Sequence, residues 1–196
     1  MLIVNSGIVL FFCLYFTAAL KYPGGSQANA YSTGFSWRDN YWCNLLDKHA
    51  INGVLNGSRP FALAAMMVLC STLAFFWFWF PVFAGMGKSQ IQIIRSAGIA
   101  AMGTAFFLFT GPHDLIINAA SLFGLVSVLG TLYGLFQLKW ISLLRMGIFN
   151  LLLVVINNIC YYNKSLLIYL PAIQKITFLF FLLWISLITL GLSKSN

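Results

Sequence analysis

The chain has 196 residues, 61% of them hydrophobic and 7% charged, and its three acids against eleven bases leave a net charge of +8. A soluble domain carries roughly 25% charged residues and a disordered chain needs low hydrophobicity, so the composition excludes both. At this length the chain reads as one domain, residues 1–196, whose long apolar blocks make lipid its solvent.

A helix needs about 20 apolar residues to cross roughly 30 Å of hydrocarbon. Six segments meet or approach that length: 2–20, 60–84, 91–110, 115–138, a short one at 146–161, and 170–192. The expected fold class is all-α, a polytopic six-transmembrane-helix bundle. Its long first loop, 21–59, is expected to contain a short amphipathic helix. Thr17-Ala18-Ala19 resembles a signal-peptide cleavage site, but no basic residue precedes the apolar run, so the first segment reads as a retained helix.

Pro23-Gly24-Gly25 ends that helix. Further along the loop, Ser36 or Asp39 is placed to cap a helix reaching about His49, with Tyr41, Trp42, Leu45 and Leu46 at helical spacing. The second span ends in the run Phe75 to Phe80, which includes Trp77 and Trp79 and reads as an interfacial anchor. Gly85-Met86-Gly87-Lys88-Ser89 lacks the first glycine of a phosphate-binding loop, because Val82 stands there, and reads as a basic turn. Ala97-x-x-x-Ala101 and Gly130-x-x-x-Gly134 permit close helix approach, within the bundle or in a homo-oligomer. A basic stretch is expected between the fourth and fifth spans, at Lys139–Arg145. Pro171 opens the sixth span, where its missing N–H costs nothing.

Alternating spans divide the charges between two sides. The side of both termini carries Lys88, Arg95, Lys139, Arg145 and Lys194. The other carries Lys21, Arg38, Lys48, Arg59, Lys164 and Lys175, all three acids (Asp39, Asp47, Asp114) and both histidines. Bases packed into short loops beside helix ends point to cytoplasmic termini. The bases form no nucleic-acid patch, and those on the terminal side match anionic lipid headgroups.

Tyr22-Pro23-Gly24, Asn40, Asn44-Leu45 and Pro60-Phe61 sit in a six-helix layout. In this the chain resembles small bacterial six-helix membrane proteins grouped as a domain of unknown function, which are in turn similar to the DRAM/Sfk-type membrane proteins. The resemblance implies a bacterial cytoplasmic membrane and lipid organisation or remodelling, and it supplies no catalytic residues. Where the related proteins often carry a Ser-Asp/Glu-Leu element, this chain has Cys43-Asn44-Leu45, so no acid is implied there.

The chemistry-bearing residues gather on the side away from the termini. Asp47, His49, His113 and Asp114 are the catalytic candidates, as an acid–base set or as imidazole and carboxylate metal ligands, although no His-x-x-x-His spacing is present. Asp39, Asn40, Asn44, Asn118, Asn157 and Asn158 are the binding candidates, and no particular metal or cofactor is implied. A plainer reading has Asp114 capping the fourth helix, Asp47 and Lys48 solvated, and the asparagines bonding neighbouring helices. Cys13 and Cys70 read as small core residues, and Cys43 and Cys160 share a side where a disulfide is open to them. Three functions compete: a lipid-binding or lipid-organising protein with a polar cavity on the extracytoplasmic side, a membrane enzyme acting on lipid through the Asp/His set, and a small transporter or channel. Membrane lipids are the expected partners.

Overall fold

The computed structural model describes residues 2–110 and 113–194, with His113 and Lys194 described by their backbone alone. Gly111, Pro112 and the side chain of His113, a catalytic candidate, therefore lie outside the described residues. Six α-helices follow one another: α1 (Leu2–Leu20), α2 (Arg59–Phe83), α3 (Lys88–Phe106), α4 (His113–Gln137), α5 (Ile141–Tyr162) and α6 (Leu170–Lys194). Short 3-10 turns occupy Trp42–Leu45, Phe107–Phe109 and Leu167–Tyr169, and no strand occurs among the described residues. All six helices are long and apolar enough to span a membrane, with mean hydropathy of 1.5 to 2.2 in their spanning segments. They fit an integral membrane protein, because a helix satisfies its own backbone polar groups where no water is present.

The chain packs as two compact units. The first contains Met1–Val9, Met66–Ile148 and Trp184–Asn196, and the second contains Leu10–Ala65 and Phe149–Leu183.

In the first unit, small residues let large ones interlock. A side chain added at Gly98 of α3 would come within 2.4 Å of the Trp77 Cβ on α2. One added at Gly130 or Gly134 of α4 would meet Ile94, or Met86 and Phe80. The glycine pair is therefore used inside the bundle. The aromatic run of α2 divides in two. Phe76, Trp77 and Phe80 are at most 2% exposed, while Phe78 and Trp79 face outward. Anchoring thus describes only the outer half, because a helix turns each successive side chain by about 100° and a continuous aromatic run must cover both faces. The buried Trp77 indole N–H is directed at Thr131 Oγ1, 3.3 Å away, and that hydroxyl donates to the Ser127 carbonyl.

The expected basic loop before the fifth helix is a tight turn. Lys139 adopts φ 58°, the Trp140 N–H donates to the Leu135 carbonyl, and the Lys139 N–H donates to the Phe136 carbonyl. This left-handed helix ending lets α5 begin at Ile141, so Arg145 lies within the helix. Asp114 also falls inside its helix, in the first turn of α4, where its charge complements the helix dipole. Cys13 is exposed rather than part of the core.

The amphipathic helix expected from Ser36 to His49 is replaced by the single 3-10 turn Trp42–Leu45. Asn40 and Asn44 explain the difference. Their side-chain oxygens accept the Ser36 and Tyr41 backbone N–H groups, and such local bonds compete with a continuing helix.

Two substitutions test the first unit through thermal unfolding in detergent. Gly98→Ala should destabilise by about 1–3 kcal/mol, because the clash is with a Cβ that no rotamer change can move. Lys139→Gly should stabilise by about 1 kcal/mol by relieving the left-handed backbone; a loss of stability there would refute the assigned turn.

Candidate functional site

Segment 21–58 joins α1 to α2 and folds as a cap within the second unit. Gly24 and Gly25 take φ values of 142° and 85°, which turn the chain back on itself. The Gly25 N–H then donates to the Ser32 carbonyl at 2.7 Å. Further along, His49 and Leu55 form an isolated antiparallel bridge around Gly53. The Tyr22 hydroxyl accepts the Ile51 N–H at 3.0 Å, tying this hairpin to the end of α1. Burial pushes the Tyr22 phenol above its ordinary value, and that accepted hydrogen bond partly offsets the shift.

Three asparagines hold the interior of the cap. Asn40 Nδ2 donates to the Gly25 carbonyl at 2.8 Å, across 15 residues of chain. Asn56 Nδ2 faces the carbonyls of Asn44, Leu45 and Asp47 at 3.1, 3.3 and 2.9 Å. Ser58 Oγ donates to the Leu45 carbonyl, and Arg59 Nε to the Leu46 carbonyl. Four consecutive carbonyls that a longer helix would have bonded internally are thus met by side chains from beyond the turn.

Beneath this frame lies an aromatic cluster with one cation. Phe11 and Tyr15 come from α1, Phe35, Trp37 and Trp42 from the cap, and Phe178 from α6. The Tyr15 and Trp42 ring centroids are 3.7 Å apart, and those of Trp42 and Phe178 are 4.9 Å apart. Lys175 Nζ lies 5.5 Å from the Phe35 ring centre and donates to the carbonyls of Pro171 and Asn40. Tyr15 OH, Trp42 Nε1, Gln174 Oε1 and Asn157 Oδ1 are buried without a hydrogen-bond partner in this same unit. Gln174 and Phe178 are four residues apart and share a face of α6. Asn157 reaches α6 through its Nδ2, which donates to Thr177 Oγ1. The unpartnered Tyr15 and Trp42 atoms thus belong to the ring contact itself, and Gln174 stands one helical turn from Phe178.

The residues expected from sequence fall in different places. Asp39 accepts the Ser36 hydroxyl at 2.8 Å and lies 3.8 Å from Arg38, whose side chain is 78% exposed, so that ion pair adds little. Asn40 and Asn44 build the cap. Asp47 and His49 are exposed members of the second unit, whereas Asp114 and Asn118 are exposed members of the first. Asn158 is exposed and bonds back to the Val154 carbonyl of its own helix. Among the described residues no three His, Cys, Asp or Glu side chains gather to hold a metal, and all four cysteines are free thiols. In the first unit a cleft of about 220 Å³ lies between the end of α3 and the start of α4, lined by apolar groups and Ser121. Sequence reading overlooked Tyr15, Trp42, Gln174 and Asn56. Asn56 had a signal in Asn56-Gly57-Ser58-Arg59-Pro60, a turn immediately before a helix.

Cys43, on the 3-10 turn, reports on this region. Burial, with Asp47 adding to it, pushes its thiol up to about 11. The fold favours the neutral thiol, so this contribution to stability is complete below the ordinary value of 9.0 and is lost as pH rises through about 11. In a variant whose only cysteine is Cys43, alkylation should accelerate about tenfold per pH unit between roughly pH 8 and 10. Asn56→Ala should destabilise the cap by about 2–3 kcal/mol and raise the rate at pH 8. An unchanged rate in that variant would remove Asn56 from its role.

Comparison with family models, with curated proteins and with solved structures found no match to this chain.

Proposed function

We propose that the chain is an integral membrane protein that binds or organises lipid at its capped end. It sits in a bacterial cytoplasmic membrane with both termini cytoplasmic and the 21–58 cap extracytoplasmic. Lys88, Lys139 and Arg145, exposed in the first unit beside helix ends, support that orientation.

The observation that carries the reading is the pair of buried, unpartnered donors Tyr15 OH and Trp42 Nε1, with the Gln174 acceptor one helical turn from Phe178. A buried polar group without a partner costs about 1–3 kcal/mol, and folded proteins keep such groups where a ligand or ordered water meets them. The phosphate, ester and glycerol oxygens of a lipid supply acceptors for the two donors. A lipid hydroxyl or amine supplies a donor for Gln174. The aromatic rings around them suit the boundary between headgroup and acyl chain. Asp47 and His49 are exposed, which favours solvation over a part in catalysis.

Tyr15→Phe separates lipid binding from mere imperfect packing. In lipid-stripped protein the variant should gain about 1 kcal/mol, because it loses a buried hydroxyl with no partner. In native mass spectrometry from mixed-lipid nanodiscs it should retain less lipid than the wild type. A variant that gains stability yet keeps its lipid would overturn the reading, as would a wild type that carries none.

A further inference from the structure

We infer a second lipid site in the first unit, on the outer seam of α2 and α3, that takes the phosphate of an anionic phospholipid. Lys88, Gln92, Arg95 and Ile99 follow one another at spacings of four, three and four residues, which places them in one stripe along α3. Lys88, Gln92 and Ile99 are exposed and Arg95 is half-buried. The stripe borders α2, because Arg95 Nε donates to the Phe78 carbonyl at 3.0 Å and its guanidinium carbon lies 3.8 Å above the Phe78 ring.

This geometry fixes an arginine without neutralising it. The carbonyl and the ring hold one edge and one face of the guanidinium, while its two terminal amino groups have no partner among the described residues. Lys88 likewise has no ion-pair partner there. Helical side chains lean toward the N-terminus of their helix, so Arg95 leans toward Gln92 and Lys88. The two bases start about 10 Å apart along the axis, a gap that two long side chains can close around one anion. Two planar N–H donors, a mobile ammonium and an amide match a phosphate, with arginine giving the forked contact and lysine the point charge. Asp114 is the only acid in this unit's segments and stands in the first turn of α4. The apolar neighbours, exposed Phe78, Val82 and Ile99, offer acyl chains a continuous surface. Charge and apolar surface together select an anionic phospholipid over a free anion.

The site shares no residue with the capped end, so the two readings fail separately. Full-length protein in nanodiscs of equal phosphatidylglycerol and phosphatidylcholine is analysed by native mass spectrometry. The wild type should retain phosphatidylglycerol preferentially. The double variant Lys88→Gln, Arg95→Gln should lose that preference, by about fivefold for each base removed. Lys88→Gln alone, which breaks no hydrogen bond to the protein, should lose about fivefold and covers the case in which the double variant does not fold. Lys164→Gln, an exposed charge in the second unit that belongs to neither site, should keep the preference. Equal retention of both lipids by the wild type, or an undiminished preference in Lys88→Gln, would overturn the proposal.

Discussion

Asn56 faces three backbone carbonyls with one side-chain amide, and the cap is organised around that arrangement. The reason is general. A stretch of chain that neither continues a helix nor joins a sheet must still find partners for every buried carbonyl and N–H. Helices meet this demand internally, which is why six of them account for most of the chain. Segment 21–58 cannot. It meets the demand with amides: Asn40 to Gly25, Asn44 to Tyr41, and Asn56 to the carbonyls of the 3-10 turn and its flank. Lys175, whose ammonium donates to the Asn40 carbonyl, then joins this frame to α6.

The helices were legible because their signal is local. Blocks of about 20 apolar residues separated by Pro, Gly and bases place the spans whatever the tertiary structure. The expected limits 2–20, 60–84 and 170–192 fall within two residues of α1, α2 and α6. The fifth helix was placed five residues late because Lys139 takes a left-handed turn that sequence patterns assign to glycine. Its neighbours Arg145 and Ser142 made a continuous helix look like a polar loop.

The cap was legible only in its punctuation. Pro23-Gly24-Gly25 marks a turn, and a turn is found there. The partners of Asn40 and Asn56 lie 15 and 9 to 12 residues away, with no periodicity to announce them. Counting apolar residues at helical spacing therefore suggested an amphipathic helix where the amides impose turns. The same limit applied to the site. Acids and histidines attract notice as chemistry, yet Asp47 and His49 face outward. The unpartnered donors of the second unit belong to Tyr15 and Trp42, which composition alone assigns to packing, although Asn157, a candidate from sequence, also has an unpartnered oxygen there.

Asn56 precedes Gly57, and Asn-Gly is the dipeptide whose backbone nitrogen most readily attacks the preceding amide and expels ammonia. Here the amide is buried and engaged by the carbonyls of Asn44, Leu45 and Asp47, so the folded cap shields it, whereas the cap's other Asn-Gly pair, Asn52-Gly53, is only half-buried at its asparagine. Were the Asn56 amide broken, a carboxylate would stand where a donor had been, and each attraction to a carbonyl would become a repulsion. The working lifetime of the Asn56 frame is thus set by how often the cap opens locally, because each opening exposes that amide to chemical ageing.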